Sequence, residues 1–173
     1  MNNEIKSFIF LDVDGPINTE RNKRYQSRIG RPTSSYKIRL PKEQILNLRN
    51  IVYSIRNTNI VLSSSWRLGG IPSKARENLE NQLRYYGLSI FSETIHMDKQ
   101  RGLEIQHWLD NFKLRSGYIP PYIILDDNID NVLDLHKGHI VYCNPEFGLT
   151  TKEVNIAINL LNKFNRELNE SRG

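Results

Sequence analysis

The chain has 173 residues, of which 38% are hydrophobic and 25% charged, and it carries a net charge of +5. This composition is typical of a globular protein, argues against an intrinsically disordered chain, and leaves no apolar run long enough to cross a bilayer. The single cysteine, Cys143, is expected to be a small core residue. It cannot form an intrachain disulfide, which fits a reducing cytoplasm. We therefore expect one domain over residues 1–173, no membrane association, and an anionic partner.

The first predicted element is a buried strand over residues 8–11, a β-branched and aromatic apolar run. Asp12 and Asp14 follow it, and Gly15 and Pro16 then end the strand. Ligands of open α/β sheets bind beyond the carboxyl ends of strands, and two neighbouring carboxylates repel each other unless a cation lies between them. The pattern predicts a cation site, although an acidic turn after a strand is a simpler explanation.

Residues 19–39, called here the basic segment, follow the first strand. They carry one acid, Glu20, against seven basic residues: Arg21, Lys23, Arg24, Arg28, Arg31, Lys37 and Arg39. Gly30 and Pro32 argue against a long helix, so we expect a flexible hairpin or loop. Such a segment is either a solvated loop or a flap that binds anions such as nucleic-acid phosphates.

Next come a core helix opened by Pro41 and a second buried strand over residues 60–62. That strand ends in Ser63, Ser64, Ser65 and, after Trp66, in Arg67. Hydroxyls and a guanidinium at the carboxyl end of a strand are suited to holding a phosphate, although three serines are also compatible with a plain loop.

The second half of the chain repeats the alternation of helix and strand. We expect helices over residues 73–86, 103–114 and 151–168, and strands within 88–95 and over 122–125 and 140–142. Lys99 and Arg101 precede the second of these helices, and Asp126 and Asp127 follow the strand at 122–125. Thr150 and Glu153 have the spacing of a capping box.

Strands alternating with helices predict an α/β fold, with a parallel sheet covered by helices on both faces. In such a sheet the polar strand ends converge on one edge. Carboxylates from two strands are hard ligands that suit Mg²⁺, whereas no His/Cys cluster has the spacing of a zinc site. The chain also lacks the GxxxxGK[ST] motif of P-loop enzymes.

The order of these motifs resembles the haloacid-dehalogenase-like (HAD) phosphohydrolases: DVDG, a strand ending in serine, a basic residue, and a strand ending in two aspartates. The segments LDVDGPIN, VLSSSWR, RGLEIQHWL, YIILDD and GLT are similar to the HAD domain of Swiss-army-knife RNA-repair proteins. The phosphatase half of phage polynucleotide kinase is a more distant likeness. The resemblance implies a three-layer, Rossmann-like core.

The resemblance also implies roles for the motif residues. Asp12 would be the nucleophile and an Mg²⁺ ligand, and Asp14 the general acid and base, with its backbone carbonyl near the metal. Ser63 would bind the phosphoryl oxygens, and either Arg101 or Lys99 would be the basic residue of the third motif. Asp126 and Asp127 would hold Mg²⁺, one directly and one through water. The serines and arginines expected to bind substrate are Ser64, Ser65, Arg67, Arg24, Arg28 and Arg31.

The spacing of the motifs leaves no room for a large cap domain, so an open site and a macromolecular substrate are expected. We expect a Mg²⁺-dependent phosphatase that removes terminal phosphates, 3′-phosphates in particular, from nucleic acid in repair, with a ligase or kinase as a possible partner. Two alternatives are a phosphatase of nucleotides or small phosphate esters and a non-catalytic binding module.

Overall fold

The computed structural model describes residues 5–69, 73–98, 100–130 and 132–172. The strands are β1 (Ser7–Leu11), β2 (Thr58–Leu62), β3 (Ile90–Glu93), β4 (Tyr122–Asp126) and β5 (Ile140–Tyr142). The helices are α1 (Glu20–Arg28), α2 (Lys42–Ser54), α3 (Lys74–Tyr85), α4 (Arg101–Ser116), α5 (Leu133–His136) and α6 (Thr151–Arg172). A 3₁₀ turn, Ser65–Arg67, follows β2.

The strands form one parallel sheet in the order β3-β2-β1-β4-β5. The strand that carries the first motif is therefore central, with the second and fourth motifs on its two neighbours. In the register of the sheet, Leu11 lies opposite both Leu62 and Leu125. The predicted α/β fold with a parallel sheet is confirmed.

Alternate side chains of β1 point to opposite faces, as a pleated strand requires. Phe8 and Phe10 pack with Ile105 and Leu109 of α4, where the Phe8 ring meets Trp108 edge-on at 4.8 Å between centroids. Helices α2, α3 and α6 lie on the other face, where their buried residues form one hydrophobic cluster with Ile9 and Leu11. Burial on both faces explains why the β1 sequence is continuously apolar rather than alternating.

The basic segment contains a helix, so the predicted hairpin or loop is wrong over residues 20–28. Thr19 is the N-cap, and its Oγ1 accepts a hydrogen bond from the Asn22 amide at 3.0 Å. The helix buries two polar residues, Asn22 and Gln26, and Asn22 Nδ2 donates to the Arg39 carbonyl at 3.0 Å. Because the buried face is polar, the segment lacks the apolar periodicity that identifies a helix.

The connections between the motifs are short elements. The chain passes from β1 to β2 through α1 and α2, and from β2 to β4 through α3, β3 and α4. Within the residues that the structure describes, these elements form no separate cap domain over the strand ends. None of the described helices is long and apolar enough to cross a membrane.

Two local predictions are confirmed. The Thr150 amide donates to Glu153 Oε2 at 3.0 Å, as in a capping box, at the start of α6. Cys143 is fully buried, and its burial raises the pKa of the thiol, so it behaves as a core residue.

Candidate active site

The register of the sheet places three motif residues side by side at the carboxyl ends of the central strands. The Asp12 amide donates to the Leu125 carbonyl at 3.0 Å, and the Ser63 amide donates to the Leu11 carbonyl at 3.0 Å. The parallel pairing thus continues one residue past each strand. Asp12, Ser63 and Asp126 are therefore held by backbone hydrogen bonds and not by loop conformation.

Three carboxylates converge at this edge. Asp12, Asp126 and Asp127 each offer an oxygen, and these oxygens lie within 4.8 Å of one another. Asp126 is fully buried and Asp12 is 6% exposed. Clustered hard oxygen donors in a partly dry site fit Mg²⁺, which takes carboxylates and retains some of its waters.

Gly15 allows Asp127 to join the cluster. The φ of Gly15 is +87°. A Cβ atom at this position would lie 2.4 Å from the Asp127 Cγ, which is closer than van der Waals radii allow. Any side chain at position 15 would therefore strain the backbone and displace Asp127. Position 15 of the DVDG motif thus requires glycine both for its backbone conformation and for the space that Asp127 occupies.

Arg101 is the cation opposite these acids. Its Nη1 lies 3.2 Å from Asp12 Oδ2 and also forms an ion pair with Asp126. Burial opposes the charge of Arg101, but Asp12 and Asp126 raise the pKa of the guanidinium above its ordinary value. The structure therefore brings Arg101 into the site, whereas Lys99, the alternative, lies outside the described residues.

Burial raises the pKa values of all three clustered carboxyl groups, and neighbouring acids add to the effect. Burial raises the pKa of Asp12 to about 6, and the charge of Asp126 acts in the same direction. Arg101, a hydrogen bond from the Ser64 side chain and the Val13 amide act in the opposite direction and lower the pKa of Asp12. Burial likewise raises the pKa of Asp127, with Asp12 adding to the effect. A cation bound between these carboxyl groups would stabilise their charged forms.

Ser63 has an unsatisfied side chain. The residue is fully buried, and among the described residues its Oγ has no hydrogen-bond partner. A buried hydroxyl without a hydrogen-bond partner destabilises the fold, and a bound ligand that forms the missing hydrogen bond would explain its presence. Its place beside Asp12 suits a hydroxyl that donates to a phosphoryl oxygen.

Asp14 lies outside the three-acid cluster and has partners of its own. The Trp66 indole Nε1 donates to Asp14 Oδ2 at 2.7 Å, and Asn18 Nδ2 donates to Oδ1 at 2.8 Å. Lys23 Nζ lies 3.2 Å from Oδ1. These contacts fix the carboxyl group in one orientation, which a proton-transfer group requires. Sequence patterns contained no signal for the roles of Trp66, Asn18 and Lys23.

Arg67 makes contacts that are typical of a structural residue. Its guanidinium donates to the backbone carbonyls of Ser64, Thr94 and Ile95, and its Nη2 lies 2.7 Å from Glu104 Oε2. Both side chains of this ion pair are almost fully buried, at 5% and 3% exposure. Every guanidinium nitrogen already donates a hydrogen bond within the protein. The predicted contact of Arg67 with substrate has no support in these contacts and stays a prediction.

The motif residues border an open cavity of about 630 Å³, here called the main cavity. Its lining includes Asp12, Ser65, Arg67, His96, Arg101 and Asp127. Ser65 is exposed on its wall, whereas Ser64 is buried beneath it and caps the 3₁₀ turn. Arg28 and Arg31 are exposed and Arg24 pairs with Glu146, so none of the three is fixed against the main cavity.

Comparison with known proteins agrees with this geometry. The model of one family, described as the HAD domain in Swiss Army Knife RNA repair proteins, matches residues 8–154. No curated protein and no solved structure matches the chain.

Proposed function

Because the chain belongs to the family of HAD domains found in Swiss Army Knife RNA repair proteins, a family that points to a phosphatase-type hydrolase, we propose that it removes terminal phosphates from nucleic acid. The preferred substrate in this proposal is a 3′-phosphate, and the reaction passes through an aspartyl-phosphate at Asp12. The single observation that carries the proposal is the meeting of Asp12, Asp126 and Asp127 with Arg101 at one open edge of the sheet.

In the first step, a carboxylate oxygen of Asp12 attacks the phosphorus and the bond to the leaving oxygen breaks. Asp14 gives its proton to that oxygen, so the leaving group departs as an alcohol. Asp14 then accepts a proton from water, and the water oxygen attacks the phosphorus of the aspartyl-phosphate. Inorganic phosphate leaves, and the carboxylate of Asp12 is restored.

The remaining site residues bind and orient the phosphoryl group. Ser63 Oγ donates a hydrogen bond to one oxygen, and this satisfies the buried hydroxyl. Arg101 stays paired with Asp12 and Asp126, which keeps the nucleophile in place. Mg²⁺ held by Asp12, Asp126 and Asp127 would neutralise charge on the phosphoryl oxygens. Trp66, Asn18 and Lys23 hold Asp14 on the leaving-group side.

The proposal is tested by a turnover panel with Mg²⁺. The substrates are oligonucleotides with a 3′- or a 5′-phosphate, mononucleotides, and a generic phosphate ester. We expect phosphate release from all classes, with the highest kcat/KM for the 3′-phosphorylated oligonucleotide. A higher kcat/KM for mononucleotides would favour the second candidate function, a nucleotidase. The main cavity is also large enough to hold a nucleotide.

The role of Asp127 is tested by Asp127→Asn. The amide keeps the shape of the side chain but removes one negative charge from the three-acid cluster. We expect the Mg²⁺ concentration for half-maximal activity to rise about 10-fold or more, since the loss of a residue that only supports a metal ligand already weakens a metal site by about 10–100-fold. An activity titration with Mg²⁺ measures this, and an unchanged midpoint would remove Asp127 from the metal site.

The basic segment is tested by reversing the charges of Arg24, Arg28 and Arg31 to Glu. Each phosphate neutralised on a single strand contributes a slope of about −0.7 to the dependence of log affinity on log salt concentration. We expect the wild-type KM for an oligonucleotide to rise with salt and the triple variant to lose most of this dependence. The wild-type protein acting on a generic phosphate ester is the control. Equal salt slopes in the two proteins would make the segment a solvated surface.

A further inference from the structure

A second opening lies on the α1 side of Asp14. This groove has a volume of about 490 Å³. It is lined by Asp14 and Asn18, by Lys23, Arg24 and Ser27 of α1, and by Thr33 and Ser35 of the loop that follows. Asp12 lines the main cavity and Asp14 lines the groove, so the two carboxylates of the first motif face different spaces.

The two openings differ in charge. The main cavity is lined by four acids, Asp12, Asp98, Glu104 and Asp127, together with two arginines. The groove has one acid, Asp14, with two cations and three hydroxyls. The cations and hydroxyls of the groove can therefore hold a second anion, for which Lys23 and Arg24 would exchange part of their contacts with Glu20 and Glu146.

The chemistry of the proposed function also selects the groove. A general acid must lie within hydrogen-bond reach of the leaving oxygen, so the leaving group begins at Asp14. From that point it extends into the space that Asp14 lines. We propose that the groove binds the leaving group, and that Lys23 and Arg24 hold the phosphate one nucleotide away from the scissile one.

Lys23 and Arg24 are placed for this role in different ways. Lys23 Nζ is held between Glu20 Oε1 at 2.9 Å and Asp14 Oδ1 at 3.2 Å, which fixes a cation beside the proton donor. Arg24 is exposed and pairs with Glu146, and an exposed pair of this kind is weak enough to exchange for a phosphate. The hydroxyls of Ser27, Thr33 and Ser35 supply further hydrogen-bond donors.

This inference rests on the proposed function and makes it more specific. The recognised unit is a nucleotide with a phosphate at each end, one to be removed and one to be held. A nucleoside 3′,5′-bisphosphate contains both, whereas a nucleoside 3′-monophosphate lacks the second. We expect kcat/KM for the bisphosphate to exceed that for the monophosphate by about 10-fold or more, which is the effect of a charge-assisted hydrogen bond.

The experiment measures this ratio with Mg²⁺ for the wild-type protein, Arg24→Gln and Arg21→Gln. Arg21 is exposed on the same helix and does not line the groove, so the two variants lose equal charge and the Arg21 variant is the matched control. We expect Arg24→Gln to lower the ratio at least about 3-fold and Arg21→Gln to leave it unchanged. Lys23 is left intact because it also contacts Asp14.

The outcomes separate the two proposals. A wild-type protein that hydrolyses both nucleotides with equal kcat/KM contradicts the groove assignment and leaves the phosphatase proposal standing. Equal reductions in Arg24→Gln and Arg21→Gln also contradict the assignment, because the effect then depends on net charge alone. A folded protein that hydrolyses neither nucleotide nor a generic phosphate ester contradicts the proposed function, and the groove assignment falls with it.

Discussion

Asp12→Asn is expected to abolish phosphate release, with a loss of about 10⁴-fold or more in kcat, the order found when an enzyme loses its nucleophile. The amide keeps the shape of the side chain but cannot form the aspartyl-phosphate. The measurement is phosphate release with Mg²⁺ from a 3′-phosphorylated oligonucleotide and from a generic phosphate ester. Normal turnover by a folded variant would falsify the covalent mechanism.

The same variant has a stability signature that shows whether it is folded. In the metal-free protein the pKa of Asp12 is raised to about 6 from an ordinary value of 3.8, so ionisation of this buried group opposes folding. Stability is therefore lost as the pH rises through this interval. Without metal, the Tm of Asp12→Asn should fall less between pH 4 and pH 7 than that of the wild-type protein. Parallel Tm curves would contradict the raised pKa.

Arg67→Met should destabilise the fold by about 3–5 kcal/mol, because it leaves the carboxylate of Glu104 buried without its arginine partner. The substitution also removes the hydrogen bonds that the Arg67 guanidinium donates to the carbonyls of Thr94 and Ile95. These bonds connect the 3₁₀ turn after β2 to the segment after β3. Denaturant unfolding without substrate measures the change. A fully stable variant with a raised KM would instead support the predicted contact of Arg67 with substrate.

Two further variants make this experiment specific. Arg76→Met removes an arginine that pairs with two acids, Glu80 and Glu93. The Arg76 side chain is 27% exposed, unlike that of Arg67. The cost of this substitution should be about 0–1 kcal/mol, as for other pairs near the surface. In the double variant Arg67→Met/Glu104→Met, no buried charge is left unpaired, so most of the lost stability should return. A double variant less stable than Arg67→Met would show that the hydrogen bonds of Glu104 matter more than its charge.

The sheet could be predicted because its strands are marked by composition alone. β1, β2 and β4 are short runs of β-branched and aromatic residues that are buried on both faces, and each ends in polar residues. Helix α1 could not be predicted in this way, because Asn22 and Gln26 take the buried positions that apolar residues usually occupy. Its stability depends on hydrogen bonds to residues distant in sequence, such as the Arg39 carbonyl.

The residues of the site were predictable where they follow a strand directly. Asp12, Ser63 and Asp126 owe their positions to sheet register, which an alternating sequence of strands and helices already implies. The contact of Trp66 with Asp14 depends on the path of two turns, and no sequence pattern encodes that path. Arg67 shows the same limitation, since an arginine after a strand can face either the site or the interior. In this protein most of its donors face the interior.

The register of the central strands also bears on how the protein folds. In the part of the chain that the structure describes, β1 pairs with β2 and β4, which lie far along the sequence, and such non-local parallel pairings form slowly. A nascent chain therefore has no acid cluster until β4 has been synthesised and docked beside β1. Under the proposed function, recovery of Mg²⁺ affinity during refolding should report completion of these central strands, whereas far-ultraviolet circular dichroism should report the helices earlier.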